Sequence, residues 1–295
     1  MSYTGSSQTK LFTSSFPVGS YPQYPLAELA PGAAAYAPEH IEAARQILAE
    51  AGMQGGGTDE AHTEELWKIL DGKLRDHMGE PPDGLRKLPI LDRYHRVMAG
   101  EAQIHCGHSS EIFGLFAAAA GLSSRVVDVN RVVDDVKLTS HTFNEVYLEE
   151  RGRFAYVDLN LGTLFVRDGR GGTPLNGVEL AQRHEAGTLD DLWATRMQGG
   201  RLRELPYRDA GRFTRLFLNP NVTFVYHRFY AARHSVPAWL HRYLLRPELA
   251  YSLHGGNGRF WLKMALAACG LALVPAWLWF LQRVFSSRRP DPTSG

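Results

Sequence analysis

The run from Cys106 to Gly121, Cys-Gly-His-Ser-Ser-Glu-Ile-Phe-Gly-Leu-Phe-Ala-Ala-Ala-Ala-Gly, constrains the fold more than any other stretch of the chain. Ile112, Phe113, Leu115, Phe116 and Ala119 recur at helical spacing, and Gly121 is a natural stop just past the last turn. The period then changes. Arg125–Val129 reads as a strand. His141 opens a second, in which Phe143, Glu145 and Tyr147 are set against Thr142, Val146 and Leu148. Phe154–Asp158 reads as a third strand, joined to the second by a turn containing Gly152. A helix followed by a hairpin points to an α+β fold with an antiparallel sheet.

The chemistry-bearing residues fall at the ends of these elements. Cys106 stands at the helix start, where unpaired backbone N–H groups and the positive end of the helix dipole favour thiolate over thiol. Such a position, more so beside a charged histidine, lowers a thiol from about 8.5 to below about 7.5. His141 begins one hairpin strand and Asp158 ends the next, so both lie at one end of the pair, and Asp158 can accept a bond from the imidazole. A nucleophile, a base and a carboxylate that orients the base are the parts of a thiol acyl-transfer site.

The stretch resembles the transglutaminase-like core, a member of the papain-like cysteine fold, over roughly residues 85–170. Gly121-Leu-Ser-Ser-Arg125 stands where that family has a Gly-Ile-Pro-Ala-Arg-like turn. His141-Thr-Phe-Asn-Glu145 matches its His-x-Trp-x-Glu strand start, and Gly152-Arg-Phe154 with Asp158-Leu-Asn160 matches its Gly-Trp and Asp-Pro-Thr. The resemblance implies Cys106 as nucleophile, His141 as general base and acid, and Asp158 as its orienting partner. Phe143 and Phe154 replace tryptophans of the family, Leu159-Asn160 replaces Pro-Thr, and His105 and Gly107 replace the Gln and Trp that flank the nucleophile of animal transglutaminases. Gln103 is a candidate further oxyanion donor.

Other readings compete for the same residues. A buried cysteine is commonly a small hydrophobe. His105, Cys106 and His108, with His141 and Asp158, could be read as zinc ligands, but three ligands within one helical start do not easily converge on a tetrahedron; no metal and no other cofactor is expected. His105 and His108 read more simply as solvated first-turn residues, Glu145 as a strand-face charge or structural partner, and Asp134 and Asp135 as part of a solvated loop over 131–137.

The chain has 295 residues, 32 basic and 31 acidic, for a net charge of +1. It is long enough for one sizeable domain with an appendage and has no global pull on nucleic acid. Two cysteines, Cys106 and Cys269, exclude a disulfide scaffold. Residues 1–37 are rich in Ser, Gly, Pro and Tyr and read as a loosely ordered lead-in. A transglutaminase-like domain is expected over 38–200, with helices at Pro38–Ala51, Asp59–Met78 and Leu91–Met98 before the nucleophile, and at Val178–Glu185 and Leu189–Met197 after the hairpin. Gly162–Val166 is expected as a strand. A basic, aromatic stretch over 201–258, from Arg201 to Arg246, fits a juxtamembrane surface or an ordinary solvated face, and no groove-reading motif accompanies it.

Met264–Leu281 carries no charge, and Phe260, Trp261 and Leu262 extend it to the length of about 20 residues that a transmembrane helix needs. Trp261 near one end, and Trp277 and Trp279 near the other, resemble interfacial anchors. A transmembrane helix is therefore expected over 260–282, followed by a polar tail over 283–295. Flanking charges leave its orientation open. No basic region followed by an apolar core opens the chain, which places the main domain in the cytoplasm. The expectation is a membrane-anchored cysteine protease, amidase or acyltransferase of papain-like, transglutaminase-like fold. It would act on a protein or peptide amide through a thioester, touch membrane lipid and bind no nucleic acid. A catalytically silent, membrane-held interaction module is the alternative, and sequence does not choose between hydrolysis and transfer to an amine.

Overall fold

The computed structural model describes residues 15–17, 30, 32–133, 136–209, 222–227, 248–252 and 260–286. Strand β1 (Ser15–Pro17) is followed by helices α1 (Pro38–Glu50), α2 (Asp59–Leu74), α3 (Ile90–Met98) and α4 (Cys106–Ala119). Then come β2 (Ser124–Val133), β3 (Val136–Leu148), β4 (Arg153–Val157), β5 (Thr163–Asp168), β6 (Thr173–Pro174), α5 (Gly177–Ala186), β7 (Leu192–Gln198), β8 (Arg201–Pro206), β9 (Val222–His227), β10 (Glu248–Ser252) and α6 (Phe260–Ser286).

Helix α4 is buried on every side from His108 to Ala119. Its apolar residues therefore need no polar face. Helices α1, α2 and α3 and strands β2 and β3 all touch it, and Gly114 leaves room for the Tyr36 hydroxyl, which a Cβ there would strike. Gly121, at φ +81°, ends the helix in the left-handed region that glycine adopts without penalty.

The strands form a six-stranded sheet in the order β1-β10-β9-β2-β3-β4 and a four-stranded sheet in the order β6-β5-β7-β8. Alternation along β3 serves two cores. Val146 and Leu148 join Leu66, Trp67, Phe113 and Phe116 in one, while Phe143 joins Tyr156, Val166, Leu192, Tyr207 and Phe224 in the other. The β3–β4 turn is pinned to the start of α2: Asp59 accepts the Glu149 N–H at 2.9 Å, and Glu150 accepts the Asp59 and Glu60 N–H groups at 3.3 and 3.0 Å. A carboxylate suits that helix end.

Mixed α and antiparallel β architecture agrees with the expected class, and the helices before the nucleophile fall within a few residues of their expected bounds. Several expectations are corrected. Residues 192–198 are strand β7, where a helix over Leu189–Met197 was expected. Leu192 and Ala194 alternate into the second core, β7 pairs along β5, and Gly199 and Gly200, at φ +56° and +75°, turn it directly into β8. Strand β3 starts at Val136, not at His141, and β2 runs to Val133, so the expected loop over 131–137 is a hairpin paired Val133↔Val136; Asp134 and Asp135 lie outside the described residues. The sheets also cross the expected boundary at residue 200, because β8 pairs with β7 and β9 pairs with β2. Most of the basic, aromatic stretch, at 210–221 and 228–247, lies outside the described residues. Of the lead-in, β1 pairs in parallel with β10 and Gly32–Ala35 forms a 3-10 turn.

A second expectation is settled at Glu145, which is a structural partner. It is 0% exposed, takes Arg125 Nε and Nη2 at 2.8 and 2.6 Å, and accepts the Gly177 N–H at 2.8 Å. The Arg125 guanidinium stacks 3.6 Å over the Phe154 ring. Breaking a buried pair leaves an uncompensated charge, at a cost of about 3–5 kcal/mol. Arg125→Ala should lower stability by about that amount in urea unfolding, while Arg125→Met with Glu145→Leu recovers only part of it, because the Gly177 N–H then loses its acceptor at a cost of about 1–3 kcal/mol. A loss in the single variant below about 1 kcal/mol would contradict this role for the pair.

Candidate active site

Cys106 is the first residue of α4 and is partly buried. His105 caps the helix, its Nδ1 accepting the Gly107 N–H at 3.2 Å. A side chain at Gly107 would press on the His105 ring, with Cε1 at 3.3 Å from its Cβ, so glycine keeps that approach to the thiol clear. One turn on, Ser110 Oγ donates to the Thr142 carbonyl at 3.1 Å, and Asn144 Nδ2 donates to the Ser110 carbonyl at 3.0 Å. These two bonds tie the start of α4 to β3 on either side of Phe143.

His141 and Asp158 meet as expected. His141 Nε2 lies 2.5 Å from Asp158 Oδ2, and both side chains are buried. Oδ2 also accepts the Tyr156 hydroxyl at 2.6 Å, and Oδ1 accepts the Leu161 N–H at 2.9 Å. With Nε2 committed to the carboxylate, Nδ1 is the ring nitrogen left for the Cys106 thiol.

The electrostatics separate the two partners. Burial pushes the Cys106 thiol up, but hydrogen bonds from His105 and His141, the His141 charge and a bond from the Thr142 backbone outweigh it and bring the thiol down to about 6. Burial pushes His141 down, but the Asp158 charge and hydrogen bond, joined by Cys106, raise it to about 10. Between those values the resting pair is thiolate and imidazolium.

Of the neighbouring histidines, His105 is solvent-exposed as expected and His108 is not. His105 is an exposed cap whose pKa is raised by its bond to Cys106 against the effect of burial. His108 is not a solvated first-turn residue. It is 3% exposed, neither ring nitrogen has a hydrogen-bond partner among the described residues, and its ring lies 4.4 Å from that of His105. Burial and the His105 charge hold it down at about 4, so it is neutral. Beyond it, Arg93 and Glu111 form a buried ion pair. Gln103 is exposed and its carboxamide lies against Gly79. Among the described residues, no group of three His, Cys, Asp or Glu side chains gathers to hold a metal ion.

Three contributors escaped sequence reasoning: Tyr156, Asn144 and His105 as a cap. Tyr156 carried a usable signal, since residues two apart on a strand share a face and it precedes Asp158 by two. Asn144 carried none, because its partner, the Ser110 carbonyl, is brought to it only by tertiary packing; the partner of His105 is local, the Gly107 N–H, but histidine is not among the residues that mark a helix start.

Searches against protein-family models and against curated proteins find no match to this chain.

In a chain carrying Cys269→Ser, Cys106 is the sole thiol. Its alkylation by iodoacetamide should rise with a midpoint at about pH 6 and level off about one pH unit higher, where the thiolate is nearly fully formed. His141→Ala should move that limb up toward the free-thiol value of about 8.5. A wild-type rate that climbs only above about pH 8 would rule out the ion pair.

Proposed function

We propose that this chain is a membrane-anchored, transglutaminase-like cysteine enzyme that cleaves or exchanges amide bonds through a thioester. The observation that carries this reading is the buried His141–Asp158 pair at 2.5 Å, placed so that the imidazole's other nitrogen serves a thiol at a helix start. The Arg125–Glu145 pair joins two further positions at which the chain resembles that family, which adds support.

The steps follow from the protonation states. The Cys106 thiolate attacks the amide carbonyl carbon, forming a C–S bond and an oxyanion. Backbone N–H groups at the start of α4, with the Cys106 N–H as the assigned donor, stabilise that charge, a contribution of roughly 10²–10³ in rate. The Gly107 N–H is already taken by His105. His141 then gives its Nδ1 proton to the amide nitrogen, the C–N bond breaks, and the amine leaves. Neutral His141 next takes a proton from water or from an incoming amine as that nucleophile attacks the thioester, and the thiolate departs. Asp158 holds the Nε2–H tautomer throughout.

Helix α6 is long and apolar enough to cross a membrane, with a mean hydropathy of 1.4 over Ala268–Phe285 and none of that window buried. Trp277 and Trp279 are exposed on it, and Arg283 lies 4.9 Å over the Trp279 ring. We assign α6 as a single-pass anchor resting in lipid, with the catalytic domain on the cytoplasmic side and a peptide or protein amide as substrate.

The full chain in lipid nanodiscs, offered a fluorescent peptide mixture with and without dansylcadaverine, tests the reading. Acid-quenched samples should show an acyl adduct on Cys106 by mass spectrometry. Cys106→Ala should abolish product, and His141→Ala should lower its rate by roughly 10²–10⁴. Dansylated peptide would identify amine transfer, and shortened peptide hydrolysis. Full product formation by Cys106→Ala would overturn Cys106 as the nucleophile, and no adduct and no product from the wild type would favour the silent interaction module.

A further inference from the structure

Asp158 Oδ2 accepts two donors at once, His141 Nε2–H at 2.5 Å and the Tyr156 hydroxyl at 2.6 Å. We propose that Tyr156 is a positioning residue of this site, whose hydroxyl draws electron density from Asp158 Oδ2 and so sets how tightly His141 holds the proton it delivers to the leaving amine. The inference rests on the acyl-transfer reading above and deepens it.

The placement favours this role over simple packing. Tyr156 is 0% exposed, and its ring packs 4.6 Å from Phe143, which fixes the direction of the hydroxyl. Burial and the Asp158 charge push its pKa well above the ordinary phenol value, so the hydroxyl keeps its proton and donates it to Asp158 Oδ2. A hydrogen bond to an ionised acceptor is about twice as strong as one between neutral groups. Two such bonds on one oxygen compete, because each donor draws on the same negative charge. Asp158 Oδ1 is engaged separately by the Leu161 N–H at 2.9 Å, so the competition falls on the oxygen that faces the imidazole.

The consequence is chemical. A general acid works best when its pKa lies near the working pH. Asp158 pulls His141 upward, away from that range. A second donor on Oδ2 opposes the pull without removing the carboxylate that orients the ring. Other ionisable groups that act on this network are Cys106 on His141, Arg196 on both Asp158 and Tyr156, Tyr207 on Tyr156, and Arg75 on Arg196. Arg196 directs Nη2 to the Leu161 carbonyl at 2.6 Å, and Tyr207 Oη pairs with His184 Nε2 at 2.5 Å.

The test uses the full chain with Cys269→Ser in nanodiscs and anionic iodoacetate as probe. Its rate rises as the thiolate forms and falls as the imidazolium that attracts the reagent loses its proton. Tyr156→Phe should move the alkaline limb upward by about half a pH unit or more and leave the acid limb in place. Placing 3-fluorotyrosine at 156, a stronger donor of nearly the same size, should move the same limb downward. The ¹⁵N shift of the His141 ring should titrate in parallel. An alkaline limb that stays put in Tyr156→Phe and with 3-fluorotyrosine, beneath a normal wild-type bell, would reduce Tyr156 to packing and leave the acyl-transfer reading intact. If Tyr156→Phe fails to fold, the fluorotyrosine chain decides alone. A wild type with no bell at all would overturn both.

Discussion

Helix α4 has no solvent face beyond its first two residues, and that constraint organises the molecule around it. A buried donor or acceptor left unmatched costs about 1–3 kcal/mol, and apart from the His108 ring the polar side chains the helix carries inward are matched. Glu111 meets Arg93, Ser110 meets the Thr142 carbonyl, the Ser110 carbonyl meets Asn144, and Ser109 Oγ donates to the Cys106 carbonyl at 3.0 Å. Sliding or rotating the helix by one residue would break several of these at once. The position of the thiol relative to His141 is therefore set by bonds that take no part in the chemistry.

Strand β3 divides the two kinds of work. Its Asn144, Val146 and Leu148 face the helical core and hold α4 in register, while His141, Phe143 and Glu145 face the other way. On that second face the neighbours are Tyr156 of β4, Asp158 just past its end, and Gly177 at the start of α5, which closes against Phe143 so tightly that a Cβ at 177 would lie 2.7 Å from its ring. Phe143 thus supports the Tyr156 ring from one side, and the carboxylate network inherits its geometry from an apolar contact.

The parts legible in the sequence were those decided locally. The apolar period of α4, the glycine stop at 121, the hairpin turn at 152 and the order Cys106, His141, Asp158 each sit within one or two elements. Residues 189–198 were not legible in the same way. Leu189, Leu192, Trp193 and Met197 repeat with helical spacing, yet pairing with β5 and the Gly199-Gly200 turn make β7 a strand, a tertiary effect that local periodicity does not carry. His108 looked like a solvated first-turn residue because nothing near it in sequence announces that Tyr36 and Arg93 close over α4, Arg93 pairing with Glu111 and the Tyr36 hydroxyl lying at Gly114. The Asp158 side of the site was legible as a carboxylate but not as a shared acceptor, because the second donor depends on where the Tyr156 ring is wedged.

An ion pair in a half-closed site must be held against its own desolvation. Here the support is asymmetric. The imidazolium is stabilised from one side by a carboxylate that is itself saturated with donors, Tyr156 and the Leu161 N–H beside His141. The thiolate is stabilised from the other by a helix start, the His105 cap and the Thr142 backbone. Each charge supports the other, since the His141 hydrogen bond and charge help lower the Cys106 thiol and Cys106 helps raise His141, but each also has a separate partner that stays when the reaction neutralises its neighbour. That separation is what acyl transfer requires: His141 loses its proton at the moment Cys106 is bound in a thioester, and the carboxylate and the helix start remain in place to restore both charges when the second nucleophile arrives.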